Sequence, residues 1–347
     1  MRRMTRTAAL LSAAALMLSA CGGGDSESSG SSGEGDAPAS DVKVGMAYDV
    51  GGRGDQSFND SAAAGMDQAV KEFGMTSQES EAKDGEAESA REERLRTFAD
   101  AGYDPIIAVG FAYSGAVAKV AKEYPEVHFA IIDDEAAKAD NVANLVFAEE
   151  QGSFLVGAAA ALKSKKKHIG FIGGVETPLI QKFEAGYSAG AKEVDPSIKI
   201  DSVYLTQPPD FSGFGDPAKG ETAAQGMYDG GADIVFHAAG GSGGGVFQAA
   251  TDSGTKAIGV DADQYKTADA KVKKVIMTSM LKNVDVAVHE YLTEVNDGKF
   301  PSGLTRYDLK VDGVGYSKSG GFVDDIEDKL EGYKKKIIDG DIKVPTS

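Results

Sequence analysis

Short apolar runs rich in β-branched residues recur along the chain: Val42–Tyr48, Pro105–Val109, Val127–Ile132, Ile169–Ile172, Ile198–Leu205, Ile234–His237, Ala257–Val260 and Val275–Met280. Stretches with a helical period lie between them. In Ser61–Phe73 the residues Ala62, Met66, Ala69, Val70 and Phe73 share one face. In Val284–Val295 the face is Val284, Ala287, Val288, Tyr291, Leu292 and Val295. Strands that are apolar throughout, alternating with helices, predict parallel sheet covered on both sides. At least eight such strands, in a chain long enough for two domains, predict two doubly wound α/β lobes.

The first forty residues follow another pattern. Arg2, Arg3 and Arg6 precede an apolar run, Ala8 to Leu18, that is too short to span a bilayer as a mature helix. It ends in Leu18-Ser19-Ala20-Cys21, which matches the bacterial lipobox. This predicts a lipoprotein signal peptide over residues 1–20 and a lipidated Cys21 as the mature N-terminus, held at the cell membrane on its extracytoplasmic face. Residues 21–40, rich in Gly, Ser and acids with no large apolar side chain, predict a flexible tether.

Composition narrows the chemistry. The 347 residues carry a formal charge of −18, and loss of the three arginines with the signal peptide takes it to −21. Such an acidic body does not suit nucleic acid, which needs a basic surface to displace counterions. The one Cys and the scattered His128, His168, His237 and His289 show no metal-ligand spacing, so neither a metal nor a cofactor is expected.

In open α/β sheets ligands bind at the carboxyl ends of strands, and those loops hold the unusual residues here. After Val42–Tyr48 comes Asp49-Val-Gly-Gly-Arg-Gly-Asp55-Gln-Ser57-Phe58-Asn59-Asp60. Phe58 reads either as a hydrophobic staple, with Asn59 or Asp60 as the helix N-cap, or as a stacking plate for a planar ligand beside the Asn59 amide. Later loops carry Tyr113, Asp133-Asp134, the aromatics Phe211 and Phe214, the run Gly240-Gly241-Ser242-Gly243-Gly244, Asp261 with Asp263, and Lys282. Asp216-Pro217 reads as a helix cap followed by Pro at the first helical position. Paired carboxylates serve acid–base chemistry or accept hydrogen bonds from sugar hydroxyls. The glycine run also fits Gly-x-Ser-x-Gly, with Asp261 or Asp263 and then His289 in hydrolase order, so a serine hydrolase built on Ser242 is an alternative. No other nucleophile–base pair stands out, and a binding protein is preferred to an enzyme.

Several of these stretches, in one order over nearly all of residues 42–345, resemble the basic membrane protein family, the nucleoside-binding lipoproteins of ABC transporters (the purine nucleoside receptor A type). They are Asp49–Asn59, Gly152-Ser-Phe-Leu-Val-Gly157, Phe183-Glu-Ala-Gly186, Gly215-Asp-Pro-Ala-Lys-Gly220, Ala239–Gly245, Gly259–Tyr265 and Thr278–Lys282. The resemblance implies a type I periplasmic-binding-protein fold, two lobes joined by a hinge around a ligand cleft. It implies that Phe58 and Phe214 sandwich a purine, that Asn59 reads the base edge, and that Asp49 adds a polar contact. Gly240, Asp261 and Lys282 would then hold the ribose by backbone amide, carboxylate and ammonium. Phe214 is chosen over Phe211 because it keeps the family's spacing to Asp216, and Tyr113 and Asp133 are second-rank contacts. The implied partners are a nucleoside of the adenosine, guanosine or inosine class and an ABC permease with its ATPase, the chain acting as a monomer. A sugar receptor of the same fold is the alternative ligand class. The expected lobes are residues 41–148 with about 260–283, and residues 149–259 with about 284–347.

Overall fold

The computed structural model describes residues 40–347, so the signal peptide, Cys21 and nearly all of the tether lie outside the described residues. The first lobe opens with β1 (Lys43–Tyr48), α1 (Phe58–Phe73), β2 (Thr76–Glu81), α2 (Glu88–Asp100), β3 (Ile106–Val109), α3 (Ser114–Glu123), β4 (Phe129–Ile132) and β5 (Val142–Phe147). The second lobe follows with α4 (Glu149–Lys163), β6 (His168–Val175), α5 (Pro178–Val194), β7 (Lys199–Thr206), α6 (Pro217–Asp229), β8 (Ile234–Ala238), α7 (Gly243–Ser253), β9 (Lys256–Asp261), α8 (Gln264–Thr267) and β10 (Ile276–Lys282). The chain returns through α9 (Val284–Asn296) and β11 (Gly303–Tyr307), then closes with β12 (Val314–Tyr316) and α10 (Glu327–Ile338).

Two six-stranded sheets result, ordered β11-β5-β4-β3-β1-β2 and β12-β10-β9-β8-β6-β7. Every pair is parallel except β10 with β12. Helices cover both faces of each, as expected for inner strands with no polar side to offer water. One apolar core unites inner residues of both lobes, Met46 and Met66 with Phe171 and Phe236 among them. Separate outer cores sit under α2 and α3, around Leu95 and Phe98, and under α6 and α7, around Val246 and Phe247.

The lobe boundaries differ from expectation. Both β9 and β10 pair inside the second sheet, so the segment near 260–283 does not return to the first lobe. Instead α9 packs on α1, and β11 adds to β5 as the edge of the first sheet. The expected division of 284–347 is therefore wrong for its first half, whereas β12 and α10 do join the second lobe. An apolar strand pattern reports burial but not which sheet receives the strand. The chain crosses between lobes three times, at Ala148, at Asn283 and over 308–313. Hydrogen bonds tie these crossings side by side, from Ala148 N to Tyr307 O at 2.9 Å and from Asn283 N to Gly313 O at 2.9 Å.

Helices α4 and α5 approach backbone to backbone. A Cβ at Gly157, Gly186 or Gly190 would lie 2.0, 2.1 or 1.9 Å from the carbonyl oxygens of Tyr187, Glu150 and Phe154. Alanine normally stabilises a helix over glycine, but here it must push a neighbouring backbone away. Gly190→Ala is expected to lower the unfolding free energy by about 1–3 kcal/mol in urea denaturation; an unchanged or higher value contradicts the close approach.

Candidate functional site

The carboxyl ends of β1, β3, β4, β8 and β9 face a cavity between the lobes, whose empty space, open solvent included, is about 550 Å3. The first lobe contributes Asp49, Asp55, Phe58, Asn59, Phe111 and Asp133 to its lining, and the second Phe183, Phe214, Gly240, Asp261 and Lys282. Of the residues singled out in the sequence, Asp49, Phe58, Asn59, Phe214, Gly240, Asp261, Lys282 and Asp133 are brought together here.

Tyr113 is not among them. It is fully buried, its hydroxyl donating to Tyr48 O at 3.0 Å and accepting from Arg94 Nη1 at 2.9 Å. Its neighbour Phe111 takes the cavity position, meeting Phe214 edge-on at 6.5 Å. Phe211 packs edge-on against Phe111 at 6.0 Å, whereas Phe214 lines the cavity itself.

The loop before α1 is organised by Asp55 rather than by the expected caps Asn59 or Asp60. The Asp55 carboxylate accepts from the backbone N–H groups of Ser57, Asn59 and Asp60 at 2.9, 2.9 and 3.1 Å, and from Asn59 Nδ2 at 3.1 Å. It thereby satisfies donors that the first helical turn leaves orphaned. Asp60 turns back to accept from Gly54 N and Gln56 N. Arg53 pins the loop from outside, reaching Asp67 at 2.8 Å and Glu79 at 2.5 Å. Asn59 Oδ1 also accepts from Asp49 N at 3.2 Å. The Asn59 amide therefore braces the loop and keeps one N–H and one lone pair in reserve.

The polar end centres on Lys282, which is 2 % exposed. Its ammonium pairs with Asp133 and lies 3.9 Å from Glu149. The rings of Phe58, Phe147 and Phe183 surround it at 4.6, 5.3 and 5.7 Å. Burial works against this charge, but the carboxylates of Asp133, Asp261 and Glu149 outweigh it and hold the ammonium above the ordinary lysine range. Asp261 accepts from Ser57 Oγ at 2.6 Å, a bond between lobes, and burial pushes its carboxyl up to about 6. Asp133 and Asp261 end matching strands of the two lobes, and both have left-handed backbone, with φ of 65° and 61°. Strain of that kind in non-glycine residues concentrates where a side chain must be aimed at a site. Gly240 is also left-handed, with φ 53°, and a Cβ there would lie 3.0 Å from Phe214 O.

No triad assembles around Ser242. Its buried hydroxyl donates to Gly213 O at 2.7 Å and accepts from Asp216 N at 2.8 Å. His289 stands on α9, paired with Glu72 of α1 at 2.8 Å. Ser242 thus fastens the loop that carries Phe214, and Asp216 caps α6 by accepting from Lys219 N at 3.0 Å.

Two α/β lobes, three crossings and a cavity lined from both sides define a binding protein of the type I periplasmic class. The sequence profile described as "ABC transporter substrate-binding protein PnrA-like" matches residues 42–347, and the chain belongs to this Bmp family. It is 37% identical to the "CD4+ T-cell-stimulating antigen" of Listeria innocua, over 97% of this chain and 96% of that one. It is 34% identical to the "ABC transporter nucleoside-binding protein BmpA" of Lactococcus lactis, over 99% of each. Among solved structures, an ABC transporter solute-binding protein from Aeropyrum pernix superposes with a TM-score of 0.77 at 29% identity, covering 88% of this chain and 94% of that one. The chain is a substrate-binding component of an ABC transporter, which works with a permease.

Burial also pushes the Asp49 carboxyl up to about 6. A carboxyl raised in the fold favours its neutral form there, so its contribution is present below the ordinary range and lost as pH rises through about 6. Asp49→Asn keeps the shape without the buried charge. Relative to the parent, it is expected to gain up to about 2 kcal/mol in urea denaturation between pH 4.5 and pH 7.5; a difference independent of pH contradicts this.

Proposed function

We propose that this chain binds nucleosides, purine nucleosides above all, for an ABC importer, and that Cys21 anchors it by lipid on the extracytoplasmic face. One observation carries the ligand class: a single cavity holds the aromatic rings of Phe58 and Phe214 together with Asp261 and Lys282. A nucleoside offers one flat heterocycle and one polyhydroxylated ring. The two phenyl groups stack on the first. The second receives a carboxylate acceptor from Asp261 and an ammonium donor from Lys282. The reserve capacity of the Asn59 amide serves the base edge, with Asp49 beside it. The similarity to a relative named as nucleoside-binding supports the same reading.

Phosphorylated ligands meet an unfavourable field. The lining contains Asp49, Asp55, Asp133 and Asp261 against the one cation Lys282, so a nucleotide adds like charge to a desolvated acidic site. A bare pentose uses Asp261 and Lys282 but leaves Phe58 and Phe214 without a plate to stack on.

Thermal shift and isothermal titration with nucleosides, free bases, pentoses and nucleotides separate these classes. Nucleosides are expected to stabilise the protein most, and AMP and ribose little; stabilisation by ribose alone would move the assignment to a sugar receptor. Phe58→Ala and Asp261→Ala are each expected to weaken nucleoside binding at least about tenfold, close to 1.4 kcal/mol. Unchanged isotherms for both would refute the assignment. Because burial raises the Asp261 carboxyl to about 6, the affinity it contributes is expected to be lost as the pH drops below that value, so the ratio of parent to Asp261→Ala affinity shrinks from pH 7.5 to 5, and a constant ratio speaks against its role as acceptor.

A further inference from the structure

Glu149 opens α4 directly behind the first crossing, and its side chain is fully buried. Neither of its carboxylate oxygens has a hydrogen-bond partner among the described residues. A buried acid in that condition calls for a physical reason. Its nearest cations are Lys282 Nζ at 3.9 Å, on β10, and Lys182 Nζ at 4.0 Å, on α5. Lys182 is 31% exposed and keeps contact with water. Arg306 of β11, the cation closest to the next residue, is taken by Glu150 at 2.6 Å. The other acids facing this cluster are Asp133 after β4 and Asp261 at the end of β9.

The acids around Lys282 belong to different lobes. Glu149 and Asp261 share its lobe, and α4 packs directly on β10, so the Glu149–Lys282 separation is internal to one rigid layer. Asp133 stands on the other lobe. If the lobes part to admit ligand, as the binding function requires, Lys282 loses its hydrogen-bonded partner. An ammonium that keeps a buried stem and loses its carboxylate is strongly disfavoured. We propose that Glu149 is the alternate partner of Lys282: the ammonium pairs with Asp133 when the lobes are closed and with Glu149 when they are open.

The exchange carries a proton. In the closed form burial pushes the Glu149 carboxyl up, and with no hydrogen-bond donor on either oxygen its neutral form is favoured. When Asp133 withdraws, Glu149 releases that proton to water and its carboxylate receives the ammonium. On closure Lys282 returns to Asp133 and Glu149 takes one proton back. Closing around a ligand therefore takes up a proton at neutral pH, and affinity falls as the pH rises towards about 8. Asp49 and Asp261, raised to about 6 by burial, titrate inside the same range, so the Glu149 share is read as the difference between the parent and Glu149→Gln.

Titration of adenosine into the purified chain at pH 7.5, in phosphate and in Tris, reads proton uptake from the difference in heat. The parent protein is expected to take up a proton. Glu149→Gln is expected to take up none and to release adenosine about tenfold more slowly, because its open form has lost a counter-ion. Glu149→Asp restores uptake. Asp133→Asn also abolishes uptake but speeds release, since Lys282 then stays with Glu149 throughout. A ligand-free comparison uses X-ray scattering, in which Glu149→Gln has a smaller radius of gyration than the parent. Equal radii, or uptake that persists in Glu149→Gln, overturn the proposal. A parent protein that gives no heat with adenosine counts against the nucleoside reading alone, and the scattering comparison still decides the role of Glu149.

Discussion

An ammonium shielded from water keeps its charge only where carboxylates and aromatic faces replace the solvent it has lost. Lys282 satisfies that condition with groups drawn from both lobes, Asp133 from one and Asp261 and Glu149 from the other. Much of the surrounding structure follows from it. Asp133 and Asp261 adopt left-handed backbone at the ends of their strands, a conformation that costs energy in a residue other than glycine. Lys282 is the last residue of β10, one position before the chain crosses to the other lobe. The charge that faces the cavity is thus seated beside one of the crossings, with its hydrogen-bonded carboxylate on the opposite lobe.

The aromatic side is built by a different means. Phe58 starts α1, and the loop before it is held by Asp55 and Arg53. Phe214 sits in a short turn fastened from below by Ser242. Gly174 leaves room for that ring, since a Cβ there would lie 2.5 Å from Phe214 Cδ1. A hydroxyl that looked like a nucleophile in the sequence therefore supports a residue of the cavity lining.

The alternation of strands and helices was legible because buried parallel strands are apolar throughout, and the loops at their carboxyl ends named most of the cavity. The two edge strands of the first sheet were not legible. Thr76–Glu81 is largely exposed and polar, and Gly303–Tyr307 exposes four of its five residues, so neither shows the pattern that marks a covered strand. The placement of β10 was misjudged because pairing partners leave no trace in local periodicity. Tyr113 was a second-rank candidate, but the short turn at Phe111–Tyr113 directs its hydroxyl to the interior and leaves Phe111 at the cavity. Glu149 was not singled out in the sequence, where an acid in a helix's first turn is ordinary because exposed carboxylates complement the dipole there. Only the packing of α4 against β10 makes it a buried partner of Lys282.

The most direct test of the grip centred on Lys282 is a crystal structure of the chain grown with adenosine. The expected result is a purine ring between Phe58 and Phe214, with the ribose hydroxyls within hydrogen-bond distance of Asp261 and of Lys282. Adenosine bound elsewhere, or in the cavity with its ribose turned away from both groups, would contradict it.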